Sequence, residues 1–301
     1  MINCSVVAHI ERNEGLVMGL GLGTMTILKR GQEEATEILR TALDEGVIHF
    51  DTADVYANGA VESLIGQTFS QEDRSRIFLA SKGGNRMNAT GTGWTWDPSY
   101  EYLKQACLES LNRLETPYLD LYYVHGGTME DDLDASIQAV KDLKADGKIK
   151  AYGLSSLRPN VIKYWLEHSD LDYLMTPYSL LDRRIEALLP LLNEKNVKVV
   201  ARGPLAKGLL TAESTSRLQS VDQFEQFNKE QLEETLNFLQ DYPLPALALQ
   251  AIDQQAAIVL PGASSVSQLQ ANLKAMQEPV TLEQINHVLK TLPVHPYTAH
   301  Q

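Results

Sequence analysis

Residues 119–156 read LDLYYVHGGTMEDDLDASIQAVKDLKADGKIKAYGLSS. Two short runs, 119–125 and 149–155, are rich in Leu, Ile, Val and Tyr, as strands buried on both faces are. Between them, 133–146 has helical spacing and closes at Gly147. Strand, helix and strand in that order require a parallel pair joined by a crossover helix. The same unit repeats outward in both directions. Apolar runs recur at 15–22, 47–50, 77–81, 171–176, 197–201 and 257–260, which makes eight candidate strands. Helical patterns lie between them at 32–45, 60–69, 98–114, 159–168 and 184–196, then over 229–255, broken at Pro243 and Pro245, and finally at 265–276 and 282–292. Asp97 is the expected N-cap of the 98–114 helix, with Pro98 at its first position. Eight such units predict an α/β chain folded as a closed (β/α)8 TIM barrel of parallel strands, one domain over residues 1–301, in preference to an open doubly wound sheet.

Composition narrows the function classes. The chain has 301 residues, with 26 Lys+Arg against 39 Asp+Glu, a net charge of −13. That acidic balance argues against nucleic acid, whose phosphates need clustered cations. No run approaches the roughly 18 apolar residues of a membrane span. The two cysteines, Cys4 and Cys107, are far apart and lack CxxC spacing, which fits a reducing compartment, and Cys107 reads as core. The first fifteen residues lack the pattern of a signal peptide, so the expected location is cytoplasmic and the sequon Asn88-Ala89-Thr90 is expected to be chance.

In a barrel of this kind, chemistry gathers at the C-terminal ends of the strands. Asp51, Lys82, His125, Ser155 with Ser156, and Arg202 stand there, each just after an apolar run. The glycines of Gly19-Leu20-Gly21-Leu22-Gly23 have the wrong spacing for a Rossmann fingerprint. There is no HExxH, Walker A or zinc spacing, so no metal is expected.

The run His49-Phe50-Asp51-Thr52-Ala53-Asp54-Val55-Tyr56-Ala57-Asn58-Gly59, followed by Glu62, Leu64 and Gly66, resembles the signature of the aldo-keto reductase superfamily. The resemblance continues through Gly23-Thr24-Met25, 118–122, 147–156, 178–183, 203–210 and 261–264 with Gln268 and Asn272, and 93–98 and 125–128 are similar to a bacterial NADPH-using branch. It implies a reductase of aldehydes or ketones acting on a small carbonyl substrate, and a catalytic set of Asp51, Tyr56, Lys82 and His125. Carbonyl reduction needs hydride from a nicotinamide cofactor and a proton from the protein. An ordinary tyrosine is a poor acid near neutral pH, and a neighbouring ammonium stabilises the phenolate left behind. Tyr56 is thus the expected proton donor, Lys82 its stabiliser, Asp51 the partner of Lys82, and His125 the residue that orients the substrate oxygen or shares the relay.

The resemblance also implies the cofactor, NADPH with NADH possible, and its contacts. Gly23, Thr24, Met25 and Asp51 are expected near it. Ser155, Ser156 and Met175 stand where the family holds the nicotinamide amide, and Tyr178 where an aromatic ring stacks on it. Arg202, Gly203, Pro204, Leu205, Lys207 and Gly208 form the loop expected over the pyrophosphate. Gly262, Ala263, Ser264 and Ser265 lie at the adenosine end, where many members place Arg or Lys at the position of Ser265. Here hydroxyls and a helix N-terminus are left to meet a 2′-phosphate, with Gln268 and Asn272 toward the adenine. Trp94 and Trp96 are expected in a loop that walls the substrate pocket together with Tyr56 and His125. A non-catalytic NADP(H)-binding regulatory subunit of the same fold is the alternative, and the intact tetrad argues against it. A cofactor-free barrel isomerase or lyase is a third reading.

Overall fold

The computed structural model describes residues 19–88 and 93–300. Expectations for the first fifteen residues, Cys4, residues 15–18 of the first run, and Ala89 and Thr90 of the sequon lie outside the described residues. Among the described residues, eight strands make one parallel sheet: β1 Gly21–Gly23, β2 His49–Asp51, β3 Phe78–Gly83, β4 Leu119–His125, β5 Ile149–Ser155, β6 Tyr173–Pro177, β7 Lys198–Arg202 and β8 Ile258–Leu260. Each pairs with the next in chain order. Parallel bridges Leu20–Val259 and Gly23–Gly262 join β8 to β1 and close the barrel. No helix among the described residues is long and apolar enough to cross a membrane.

The helices are α1 Gln32–Asp44, α2 Ala60–Thr68, α3 Gln71–Arg76, α4 Tyr100–Arg113, α5 Leu133–Ala145, α6 Pro159–His168, α7 Leu189–Glu194, α8 Ser214–Gln219, α9 Lys229–Leu239, α10 Leu244–Asp253, α11 Val266–Gln277 and α12 Leu282–Thr291. Helix α1 shows why they form. Its buried Ala35, Ile38, Leu39 and Ala42 recur at the spacing of one helix face, and each large side chain so covered contributes about 1.5–3 kcal/mol. Cys107 is buried on α4, and burial pushes its thiol up to about 12, so it packs as a core residue.

Several boundaries differ from expectation for local reasons. Helix α4 starts at Tyr100, not at Pro98, because Ser99 is its cap. The Ser99 hydroxyl accepts from the Tyr102 N–H at 3.4 Å and donates to Asp97 Oδ1 at 2.5 Å. The 184–196 stretch splits into a 3-10 turn, Arg184–Ala187, and α7, which has a proline in its first turn. Pro243 is the N-cap residue of α10, but Pro245 breaks nothing. It lies in the first turn, where a missing N–H has no partner to lose. Helix α3, which no apolar period predicts, is nucleated by a Ser70–Asp73 capping box.

The barrel interior is closely packed. Ala80, Leu121, Tyr123, Met175, Val200 and Leu260 form its own buried cluster, apart from the shell between strands and helices. Room for Tyr123 comes from Gly153, where a Cβ would fall 2.6 Å from the ring. The register then lifts alternate inward residues to the rim. Asp51 pairs with Ala80, so Lys82 stands two residues higher; Lys82 pairs with Tyr123, so His125 is two higher again, opposite Ser155.

Candidate active site

Lys82 is the centre of the rim. Its side chain is 1% exposed, and its Nζ donates to Asp51 Oδ1 at 2.5 Å, to the Thr52 carbonyl at 2.6 Å and to the Tyr56 hydroxyl at 3.4 Å. Burial opposes the charge. Asp51 and Tyr56 outweigh burial and hold the ammonium above the usual lysine range. Asp51 is itself anchored, because both the N–H and the hydroxyl of Thr24 donate to its carbonyl, at 3.0 and 2.9 Å.

Tyr56 hangs on the β2–α2 connection. The Thr52 N–H bonds the Ala80 carbonyl at 2.9 Å and the Asp54 N–H bonds the Lys82 carbonyl at 3.2 Å, so the loop starts as an extension of the sheet. It then turns through three consecutive left-handed residues, Ala57 (φ 48°), Asn58 (φ 55°) and Gly59 (φ 82°). Left-handed Ala costs on the order of 1 kcal/mol, and the fold spends it to bring the phenol back over Lys82. The ammonium lies 5.0 Å from the Tyr56 ring centroid.

His125 ends β4 half-buried, with Nδ1 buried and no protein partner. Burial, with the charges of Lys82 and Arg202, depresses it to about 3. At any ordinary pH the ring is neutral, with one N–H to give and one lone pair to receive. The four expected residues therefore converge on one rim. Trp96 adjoins them. Its ring lies against Gly126, where a Cβ would fall 2.9 Å away, and the Arg158 guanidinium covers it at 4.3 Å. Trp94 stacks beside it, centroids 6.0 Å apart, and is half exposed. The two are not in an irregular loop as expected. They form one strand of an antiparallel ribbon, Asn85–Met87 with Trp94–Trp96.

The expected cofactor residues divide. Gly23, Ser155 and Ser156 are on the rim, Ser156 accepting from the Arg158 N–H at 3.1 Å. Met25 and Arg202 are exposed. Gly203 (φ 65°) has open space where a Cβ would stand and begins a bend through buried Pro204, half-buried Leu205, exposed Lys207 (φ 55°) and Gly208 (φ 93°). Gly262 is exposed, with buried Ala263 behind it. Three expected contacts are closed off. Thr24 is fully buried with its hydroxyl spent on Asp51. Met175 is buried in the barrel interior, paired in register with Ser155. Tyr178 is 1% exposed because its hydroxyl donates to Glu186 Oε1 at 3.0 Å, which holds the ring in the packed shell with no face open for stacking.

The N-terminus of α11 is already capped. Ser265, 2% exposed, accepts from the Gln268 N–H at 3.2 Å. Gln268 turns back to accept from the N–H and hydroxyl of Ser264, at 2.9 and 3.0 Å. Asn272 is buried, with Nδ2 3.4 Å from the Gly262 carbonyl. Glu34, from α1, accepts from the Val266 N–H at 3.0 Å. Neither Glu34 nor Arg158 is marked by sequence spacing. Glu62 is different, since it falls within the quoted signature, and it is wholly buried between Ser81 and Arg113.

Comparison with known proteins agrees with this architecture. A family model described as the aldo/keto reductase family matches residues 19–292. The chain is similar to an uncharacterized oxidoreductase, YqkF, of Bacillus subtilis (strain 168), with 39% identity over 292 residues covering 94% of this chain and 95% of the relative. It is more distantly similar to an NADH-specific methylglyoxal reductase of Escherichia coli (strain K12), 26% identical over 294 residues, covering 85% of this chain and 89% of that one. Among solved structures, the holo form of aldo-keto reductase AKR11C1 from Bacillus halodurans superposes with a TM-score of 0.88 at 40% identity, covering 94% of each chain.

Proposed function

The chain belongs to the aldo/keto reductase family of oxidoreductases, and from that premise we propose that it reduces aldehydes or ketones to alcohols with NADPH, NADH being the alternative, and that Tyr56 is the proton donor. The observation that carries the reading is the Lys82 ammonium held by Asp51 and the Thr52 carbonyl with its third reach toward the Tyr56 hydroxyl. A bound nicotinamide dinucleotide supplies the hydride to the carbonyl carbon. The protein must then supply a proton to the oxygen and stabilise what remains.

Tyr56 gives that proton, and negative charge develops on its oxygen beside Lys82. The buried ammonium is already in place, so no dipole has to reorganise as the charge forms. Asp51 fixes the lysine in position. His125 is not the acid, because it is neutral down to about pH 3. Its role is to donate its N–H to the carbonyl oxygen and aim that oxygen at the phenol. Trp96 and Trp94 wall the side from which a small carbonyl compound enters.

The rim residues fit a dinucleotide. Ser155 and Ser156 offer hydroxyls, and the open bend from Gly203 to Gly208 with Arg202 and Lys207 offers a covering loop and cations. The α11 N-terminus offers backbone N–H groups, which favour an anion there. Ser264, Gln268 and Glu34 would exchange their present bonds for it.

Tyr56→Phe tests the proposal. Carbonyl reduction should fall by about 10²–10⁴, while quenching of protein fluorescence by NADPH keeps its titration midpoint. Retention of full turnover would remove Tyr56 from the mechanism.

A further inference from the structure

Beside the tetrad, in the loop between Asp51 and Tyr56, lies a carboxyl that the mechanism above does not use. Asp54 stands between Asp51 and Tyr56 in the chain, and its N–H is tied to the carbonyl of Lys82. Its Oδ1 is buried and has no hydrogen-bond partner. The titratable and charged groups that act on it come from every neighbouring element: Lys82 of β3, Glu62 of α2, Arg113 and Tyr102 of α4, and Tyr122 of β4.

The cations among them are already committed. Lys82 is bonded to Asp51. Arg113 donates from Nε to Glu62 Oε2 at 2.7 Å and from Nη2 to the Ser110 hydroxyl at 3.3 Å, with Glu109 at 3.8 Å. Its side chain runs under Gly59, where a Cβ would fall 2.6 Å from Cδ, so Arg113 is fixed below the loop that carries Tyr56. Glu62 is fully buried, and its other oxygen accepts from the Ser81 hydroxyl at 2.5 Å. Asp54 thus faces the Glu62 carboxyl, already paired with Arg113, without a cation of its own.

We propose that Asp54 is a positioning residue for the Tyr56–Lys82 pair, a buried acid tied through its backbone to Lys82 and without a cation of its own, on which a negative charge would oppose the phenolate formed in reduction. The inference rests on the reading of Tyr56 as proton donor. Its electrostatics agree with the geometry. Burial and the charge of Glu62 push Asp54 up to about 7, against the pull of the Val55 N–H, Arg113 and Lys82. Below that pH Asp54 is neutral and Lys82 faces one developing charge. Above it, a second anion competes for the same ammonium. Reduction should therefore fall with rising pH through about 7 to a lower plateau. A drop of about tenfold corresponds to one pKa unit of extra cost at the donor.

The test is the pH profile of kcat for carbonyl reduction in the wild type, Asp54→Asn and Glu62→Gln, with saturating NADPH. The wild type should show the step, Asp54→Asn should lose it, and Glu62→Gln should move it to lower pH, because removing the neighbouring charge makes Asp54 easier to ionise. A step that persists unmoved in Asp54→Asn, or a flat wild-type profile, overturns the proposal.

A readout independent of activity is the carboxyl carbon resonance that disappears in Asp54→Asn. It should titrate near 7 in the wild type, and a midpoint near the ordinary 3.8 also overturns the proposal. Stability gives the same sign. An acid whose folded pKa lies above its unfolded one binds more protons when folded, so its contribution is full below the unfolded value and is lost as pH rises toward the folded one. The melting temperature of the wild type should fall between about pH 4 and 7 relative to Asp54→Asn. Failure of the Tyr56 assignment is recognised separately, by a Tyr56→Phe enzyme that still turns over.

Discussion

Lys82 and the N-terminus of α11 stand on the same rim and are built on different plans. At Lys82 the polar partners of the working state are already engaged: Asp51 and the Thr52 carbonyl hold the ammonium, and Tyr56 is within reach. At α11 the polar groups are satisfied by substitutes, namely Ser265, a Gln268 turned back on Ser264, and a Glu34 that crosses from α1. The first arrangement costs nothing to use. The second would have to be undone for an anion to bind there, so on the proposed reading affinity is the difference between two hydrogen-bonded sets. On that reading, the geometry at Lys82 is set before any ligand arrives, whereas binding a dinucleotide at α11 would be a trade.

Three substitutions put numbers on that contrast. The largest effect belongs to Lys82→Met. It leaves the Asp51 carboxylate buried without a partner, and loss of one member of a buried pair costs about 3–5 kcal/mol. Chemical denaturation should show this together with loss of turnover. Adding Asp51→Leu should restore much of the stability and none of the activity, and a single variant as stable as wild type would mean that the pair is not preorganised. The middle effect belongs to Glu34→Gln. A carboxylate at the α11 N-terminus repels a 2′-phosphate more than a 2′-hydroxyl, so NADPH should gain on NADH by about fivefold, roughly 1 kcal/mol. Fluorescence titrations with both dinucleotides measure this, and an equal change in the two would separate Glu34 from cofactor choice. The smallest belongs to Trp96→Ala. It removes the Arg158 stack, worth about 0.5–1 kcal/mol, and should raise KM for bulky carbonyl compounds by about two- to fivefold, the same energy scale, while kcat stays within about twofold. A matching rise for the smallest aldehydes would mean that the ring acts on the catalytic set and not on the pocket wall.

The same contrast explains what could be read in advance. The four rim residues were legible because short apolar runs fix where strands end, and parallel pairing brings those ends together. Asp51, Lys82 and His125, with Ser155, Ser156 and Arg202, follow from that as strand-end residues; the choice of the four, and Tyr56 itself, comes from the resemblance to the aldo-keto reductase signature. The cofactor side was less legible, because hydrogen bonds between distant helices leave no period in a sequence. Glu34 meets Val266 across 232 residues, and nothing in either neighbourhood marks the meeting. Tyr178 misled for a related reason. It sits just past a strand end, but the bond to Glu186 turns its ring inward. Thr24 and Met175 are buried where the sequence suggested rim positions, since burial is decided by packing around the whole barrel. Ser99 displaced Asp97 as a cap because two polar residues two apart compete for one helix end, and the nearer hydroxyl won.

The left-handed trio Ala57-Asn58-Gly59 has a bearing on engineering. A connection that needs three such residues in a row, with Arg113 wedged beneath the last, has almost no neighbouring solutions of different length. Insertions or deletions there should cost the enzyme its acid before they change what it accepts. New specificity is better sought in the tryptophan ribbon, where the chain can be redrawn without moving the phenol.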